Sequence, residues 1–194
     1  VSGTFTQADI NSGLITYDHN GTETSSDSFS FTVDDGAGSA SSGTFNISVT
    51  AVNDNNPVIT SNGGAATAAV NVAENSTAVT TVTATDADLP GQTLTYTITG
   101  GADSAKFSIV GATGVLTFVA APNYESPTDI GGNNVYDVQV TVSDGTLTDL
   151  QDIAVTVTAV NDNSPVITSN GGGATAAVNV AENSTAVTTV TATD

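Results

Sequence analysis

The stretch YDVQVTV, residues 136–142, alternates apolar and polar side chains along its whole length. A period of two places one face of a strand against a core and the other face in water. The same alternation recurs in FSFTV (29–33), FNISV (45–49) and LTYTIT (94–99). Clusters of Gly, Asn, Asp and Pro separate these stretches, and no segment shows a helical period. The sequence therefore predicts an all-β sandwich.

An internal repeat sets the domain organisation. Residues 51–86 and 159–194 span 36 positions each and differ at only two of them, Asn56/Ser164 and Ala65/Gly173. The spacing of 108 residues fits one seven-stranded sandwich per repeat. The predicted units are the later part of one domain (1–52), a linker (53–57), a complete domain (58–158), a second linker (159–165) and the first part of a further domain (166–194). We expect these units to belong to a longer tandem array.

Charge narrows the class of partner. The chain carries 20 acidic residues against one basic residue, Lys106, and its formal net charge is −19. Nucleic acids and anionic membranes need a Lys/Arg surface, so both are poor partners for this chain, and cations are favoured. No apolar run has the length of a membrane span, and the absence of cysteine excludes a disulfide framework.

Four motifs in the central domain carry a resemblance to a known family. They are AEN (73–75), DAD (86–88), NYE (123–125) followed by VSDG (142–145), and VNDN (160–163) before a proline. In this order and spacing, they resemble a cadherin-type repeat of large bacterial surface proteins and adhesins. Residues 1–52 resemble the related chondroitin-sulfate-proteoglycan repeat, through FTQADINSGLITYDHNG and DSFSFTVDDG. The resemblance implies tandem seven-stranded Greek-key sandwiches of the cadherin/immunoglobulin-like type, one complete and two partial.

The resemblance further implies calcium sites at the two linkers. Calcium takes six to eight oxygen ligands from carboxylates, Asn side chains and backbone carbonyls. The ligands implied before the central domain are Asn53, Asp54, Asn55, Asp86, Asp88 and Asp144. Those implied after it are Glu74, Glu125, Asn161, Asp162 and Asn163, with Glu182 and Asp194 from the next repeat.

Some positions depart from the family pattern. Ala51 and Ala159 stand where animal cadherins usually carry Asp. Asn123 also replaces an Asp, and a neutral ligand there should weaken binding of the outermost ion. Asp194 is only the first residue of a DAD motif, and Glu23 is a possible counterpart of Glu125 in the first repeat.

The predicted function is a calcium-rigidified extracellular spacer or adhesion repeat of a large surface protein. Two alternatives stay open: a module that binds carbohydrate or another copy of itself, and a subunit of an extracellular filament or surface layer. Asp and Asn in loops often serve only as turn formers, but here they recur at matching positions of a repeat. An enzyme is not expected, since there is no Cys nucleophile and the lone His19 has no evident catalytic partners.

The two partial domains are complementary in the strands that they contain. Residues 1–52 hold only later strands of a sandwich, and residues 166–194 hold only the first ones. Neither part alone can bury its apolar face or close its sheet edges. We therefore expect both parts to appear as ordered strands with covered apolar faces.

Overall fold

The computed structural model describes residues 3–194, and nearly all of their regular structure is strand. The first partial domain contains helix α1 (Gln7–Asn11) and strands β1 (Ser26–Asp34) and β2 (Ala40–Ser48). The central domain contains β3 (Val58–Ile59), β4 (Thr67–Ala73), β5 (Ala78–Thr81), β6 (Ala84–Thr85), β7 (Thr95–Gly100), β8 (Phe107–Ile109), β9 (Val115–Phe118), β10 (Val135–Ser143) and β11 (Thr148–Thr158). The last repeat contains β12 (Val166–Ile167) and β13 (Ala192–Thr193).

The central domain is a sandwich of two main sheets. One sheet has the strand order β4-β11-β10-β7, and the other has the order β5-β9-β8, while β3 and β6 form a short pair. Strand β4 runs parallel to β11, and the other pairs are antiparallel. The prediction of an all-β sandwich is confirmed.

The core lies between the two sheets because the alternating apolar residues of both point inward. Val138 and Val140 on β10 and Val155 on β11 are almost fully buried, and they pack with Leu116 and Phe118 of the opposite sheet. The strand YDVQVTV thus supplies one wall of the core, as its period predicts. Its polar positions face away from that core.

A buried glutamine fastens the first strands to the last. The side chain of Gln151 on β11 is fully buried. Its Nε2 donates to the backbone carbonyls of Ser61 (3.3 Å) and Ala65 (2.7 Å), and its Oε1 accepts from Asn62 Nδ2 (3.1 Å). These bonds satisfy a polar group that would otherwise be costly to bury.

The sequence predicted no helix, and this prediction is wrong at one place. Helix α1 is a single five-residue turn that begins after Thr6. The Thr6 hydroxyl accepts from Asp9 N (3.2 Å), and the Asp9 carboxylate accepts from Thr6 N (2.7 Å). This reciprocal capping box is a local signal, spaced Thr-x-x-Asp, that a search for long helical periods does not detect.

The expectation of covered apolar faces in the partial domains is also wrong for the single chain. Strands β1 and β2 form an isolated antiparallel hairpin, and residues 166–194 form one two-stranded ladder of two residues each. Large apolar side chains of both parts are exposed: Phe29, Val33, Phe45, Val178, Val180, Val187 and Val190. Among residues 3–194, no strand covers the apolar face of either part.

Within residues 3–194, no helix combines the length and the apolar character that crossing a membrane requires.

Candidate metal sites at the domain seams

The first seam is the linker 53–57 together with the residues that surround it. Asp88, in the DAD loop, is buried and accepts from Asn55 twice: from the backbone N (3.2 Å to Oδ2) and from the side-chain Nδ2 (2.6 Å to Oδ1). Pro57 is fully buried at the end of the linker and has no N–H to donate to a sheet. The Asp88 carboxylate therefore attaches the linker to the central domain through Asn55.

Three carboxylates of the central domain meet at this seam. Asp86, Asp88 and Asp144 each offer an oxygen within 4.8 Å of the other two. Asp86 Oδ1 accepts from Asp88 N (3.0 Å), but the buried Asp86 Oδ2 has no hydrogen-bond partner. Like charges this close repel one another in a partly desolvated site. The group is therefore suited to a cation.

The amide of Asn53 lies against the same carboxylates. One end of the amide is 3.1 Å from Asp88 Oδ2 and 3.0 Å from Asp144 Oδ2. If that end is the NH₂ group, it donates to both carboxylates. If that end is the oxygen, three oxygens converge, as they do around a bound cation.

Asp144 is held in its ionised form by its own turn. Burial raises the pKa of its carboxyl, but N–H groups of Thr146 and Leu147 (both 2.7 Å) and the side chain of Asn53 outweigh that effect. The pKa of Asp144 therefore lies below its ordinary value. A carboxylate that stays charged can serve as a metal ligand across the neutral range.

A second carboxylate group extends the first seam toward the preceding domain. Glu23, Asp54 and Asp88 each offer an oxygen within 4.8 Å of the others. Glu23 Oε1 accepts from Asn55 Nδ2 (3.0 Å), and Glu23 Oε2 accepts from Leu89 N (3.3 Å). Asp88 belongs to both groups, so the first partial domain, the linker and the central domain all contribute carboxylates to one continuous cluster.

The second seam is the linker 159–165 with the lower end of the central domain. Glu74, Glu125 and Asp162 form the third carboxylate group. Buried Glu74 accepts from Tyr124 N (2.8 Å) and Val160 N (2.7 Å). Those two backbone bonds lower the pKa of Glu74, against a smaller opposing effect of burial and with help from Glu125.

The remaining sequence-predicted residues lie near this group or apart from it. Asn163 Nδ2 donates to Asp162 Oδ1 (3.0 Å), and Asn161 lies beside them in the linker. Glu182 and Asp194 are exposed and lie outside the three carboxylate groups found within residues 3–194. They belong to residues 166–194, which do not form a sandwich in the structure. These two carboxylates therefore do not reach the second seam.

One residue near the second seam was absent from the sequence prediction. Asn75 has a left-handed backbone (φ 63°) and its Nδ2 donates to Asp162 Oδ2 (2.6 Å). The signal was available, since Asn tolerates this conformation and follows Glu74 in the AEN motif.

The oxygen donors at both seams suit calcium. Carboxylates and Asn amides are hard ligands, and there is no Cys in the chain to favour a softer metal. The buried oxygen of Asp86 without a partner and the convergence of the Asp86, Asp88 and Asp144 carboxylates are what a cation of this type would satisfy.

Two family models of the cadherin type match this chain. A cadherin domain family model matches residues 68–161, and a cadherin-like family model matches residues 2–49. Human protocadherin Fat 1 is 34% identical over 128 residues, which are 64% of this chain and 3% of Fat 1.

Solved structures agree with that family. The structure titled as a protocadherin gamma B7 EC3-6 cis-dimer is 26% identical with a TM-score of 0.59, covering 74% of this chain and 35% of that one. Protocadherin gamma B7 extracellular cadherin domains 1–4 are 28% identical with a TM-score of 0.55, covering 75% and 35%. This chain thus spans 3% of the curated relative and about a third of these solved chains. The chain contains cadherin-like domains, which are extracellular adhesion modules of the cell surface and not enzymes.

Proposed function

We propose that the chain is a calcium-rigidified extracellular spacer or adhesion repeat. The observation that carries this proposal is the carboxylate cluster of the first seam, in which Asp88 belongs to two groups at once. Glu23 comes from the first partial domain, Asp54 from the linker and Asp88 from the central domain. Ions bound among them would tie all three parts together.

The ligands follow from the two clusters. At the first seam we assign Asn53, Asp54, Asn55, Asp86, Asp88 and Asp144, together with Glu23. At the second seam we assign Glu74, Glu125, Asn161, Asp162 and Asn163, with Glu182 and Asp194 serving the next repeat. Affinity in the range of extracellular calcium modules, about 0.1–1 mM, is expected.

The rigidifying effect follows from electrostatics. Without a cation, the carboxylates of Glu23, Asp54 and Asp88 repel one another, and this repulsion favours separation of the parts that carry them. The linker itself offers little apolar packing, and domains joined by such linkers move relative to one another. A bound ion converts the repulsion into shared attraction and thereby fixes the angle at the seam.

The wider setting stays a proposal. Sequence motifs support the domain boundaries, which are 1–52, 58–158 and 166–194. The same motifs support the assignment to a bacterial surface protein and to a proteoglycan-type first repeat. Carbohydrate binding rests on no contact of the structure and stays a prediction.

Calorimetric titration with calcium tests the metal assignment. The wild-type chain should release or absorb binding heat, and Asp88→Asn should remove the part of it that belongs to the first seam, because Asp88 serves both carboxylate groups there. Asp152→Asn is the matched control: Asp152 is exposed on β11, where it accepts from Gln139 Nε2 (2.9 Å), and it lies outside the three groups. Wild-type protein that gives no calcium heat, or equal heats in both variants, would refute the assignment.

A further inference from the structure

The loop between β9 and β10 carries Glu125 to the second seam. It spans residues 119–134, and loops of this length without regular structure are uncommon in compact domains and often carry function. Glu125 is exposed, yet one of its carboxylate oxygens lies within 4.8 Å of those of Glu74 and Asp162. The loop therefore has to hold Glu125 in place against the repulsion within its own site.

The backbone of Tyr124, the residue before Glu125, is held at both ends. Its N–H donates to Glu74 Oε2 (2.8 Å), so one end is fixed to another member of the same carboxylate group. Its carbonyl oxygen accepts from Asn134 Nδ2 (2.9 Å). The second bond ties Tyr124 to a residue outside the carboxylate group, at the far end of the loop.

Asn134 is itself anchored in the body of the central domain. It directly precedes β10, and its carbonyl oxygen accepts from Val157 N (2.8 Å), near the end of β11. Its own N–H donates to the buried carboxylate of Asp129 (3.1 Å to Oδ1). The residue therefore connects the end of β11, from which the second linker leaves, to the position of Tyr124.

The side chain of Asn134 is not arranged for stability alone. Among the described residues its buried Oδ1 has no hydrogen-bond partner, and such an acceptor destabilises a fold. Turning the amide over would place Oδ1 against the carbonyl oxygen of Tyr124, so the bond to Tyr124 fixes its orientation. The backbone is left-handed (φ 62°), a conformation that glycine adopts without strain. Glycine would therefore remove the tie to Tyr124 at little cost to the fold.

We infer that Asn134 is a positioning residue of the second seam, whose amide holds Tyr124, and with it Glu125, in the place that a bound cation needs. The inference rests on the calcium assignment proposed above. Asn134 acts through Tyr124 and Glu125 and is not one of the ligands. A ligand that is already in place does not have to be ordered when the ion binds, and this preorganisation raises the affinity.

The size of the effect can be estimated from other metal sites. Replacing a residue that orients a metal ligand typically lowers the metal affinity by about 10- to 100-fold. Glu125 is one of several oxygen donors at an exposed seam, so we expect the lower end, about 10-fold. The first seam takes its carboxylates from other parts of the chain, so its affinity for calcium should stay unchanged.

Calorimetric titration of the full chain with calcium tests the inference. Asp88→Asn disables the first seam in every sample, so the remaining heat belongs to the second seam. In this background, Asn134→Gly should weaken calcium binding about 10-fold. Asn133→Gly is the matched control, because its side chain accepts from Val135 N (3.1 Å) and does not bond to Tyr124. The control should bind calcium as tightly as the Asp88→Asn chain.

A second measurement separates positioning from a general loss of structure. Urea denaturation in chelator should give Asn134→Gly and Asn133→Gly nearly the same unfolding midpoint. The reason is that Asn134→Gly loses the bond to Tyr124 but also removes the buried oxygen that has no partner. A residue that served only the stability of the fold would lower the midpoint and the calcium affinity together.

Three outcomes would overturn the inference, and they can be told apart. If the Asp88→Asn chain gives no calcium heat, the second seam is not a calcium site, and the proposed function fails there together with the inference. If heat remains and Asn134→Gly binds as tightly as Asn133→Gly, the calcium assignment stands and only the role of Asn134 is wrong. If Asn134→Gly weakens binding but lowers the midpoint well below that of Asn133→Gly, the residue is structural.

Discussion

Residues 58–86 and 166–194 differ at one of 29 positions, yet only the first of them forms the wall of a sandwich. Their local structure is the same. Asn62 and Asn170 both have left-handed backbones (φ 53° and 50°), and each accepts from a threonine hydroxyl at 3.1 or 3.2 Å. The short ladder β3–β6 also recurs as β12–β13.

The two segments differ wherever a distant strand is needed. Strand β4 exists because it hydrogen-bonds to β11, and β5 exists because it hydrogen-bonds to β9. Within the part of the chain that the structure describes, residues 166–194 have no such partners, and their counterparts of β4 and β5 are not strands. Local sequence therefore determines the turn and the two-residue ladder, whereas burial and longer pairing depend on strands far along the chain.

The largest expected effect comes from an apolar truncation made in both segments. Ile59→Ala should lower the free energy of unfolding of the central domain by about 2–5 kcal/mol, since it leaves a cavity in a packed core. Ile167→Ala should change it by no more than about 0.5 kcal/mol, because Ile167 lies outside that core.

The pair is compared by urea denaturation of dilute protein in chelator, so that neither association nor calcium contributes. Equal losses of unfolding free energy from both truncations would mean that residues 166–194 are packed as tightly as residues 58–86. The comparison between the two segments would then fail.

The next largest effect on the free energy of unfolding is expected from substituting Asn62, compared with its counterpart Asn170. Asn62→Gly keeps the left-handed turn without strain but removes the donor to the buried Gln151 Oε1. An unsatisfied buried acceptor should cost about 1–3 kcal/mol. Asn170→Gly removes the same side chain where no glutamine is present, and the unfolding midpoint should stay at the wild-type value. A shift of similar size in both variants would assign the effect to the turn itself.

A smaller effect is expected on the stability of the central domain at low pH, and it involves the loop that contains Asp129. Burial raises the pKa of Asp129, but N–H donation from Asn133 (3.0 Å) and Asn134 (3.1 Å) outweighs it, so the pKa lies below its ordinary value. The stabilisation is present above the ordinary carboxyl pKa and is lost as pH falls through the lowered one.

Asp129→Asn should therefore flatten the fall of the thermal midpoint of the central domain in acid. The test is the difference in midpoint between wild type and variant, which should be largest near neutral pH and shrink as the pH is lowered. A difference that is the same at all pH values would show that the charge of Asp129 does not act on folding.

Period-two alternation was enough to predict the strands of the central domain. YDVQVTV, LTYTIT and their neighbours are strands because each has a partner within the same domain. The same reasoning wrongly predicted ordered strands over residues 166–194, because alternation reports which face of a segment is apolar and not whether a partner strand exists. It also missed helix α1, whose capping box of Thr6 and Asp9 is a signal of only four residues.

The ligands of the candidate metal sites could be predicted from the sequence to different degrees. Asp86 and Asp88 are two residues apart in the DAD motif, and the resemblance to cadherin repeats predicted their grouping with Asp54. The position of Glu23 beside Asp88 depends on how two domains meet across the linker. No spacing within the sequence encodes that contact, so Glu23 was only a possible ligand.

The most direct test of the account is small-angle X-ray scattering of the dilute chain with calcium and with chelator. If ions shared by Glu23, Asp54 and Asp88 fix the first seam, calcium should narrow the distribution of intramolecular distances. It should also raise the maximum dimension toward that of a straight rod, while Asp88→Asn should respond far less. Identical distance distributions in calcium and in chelator would contradict the claim that calcium rigidifies this chain.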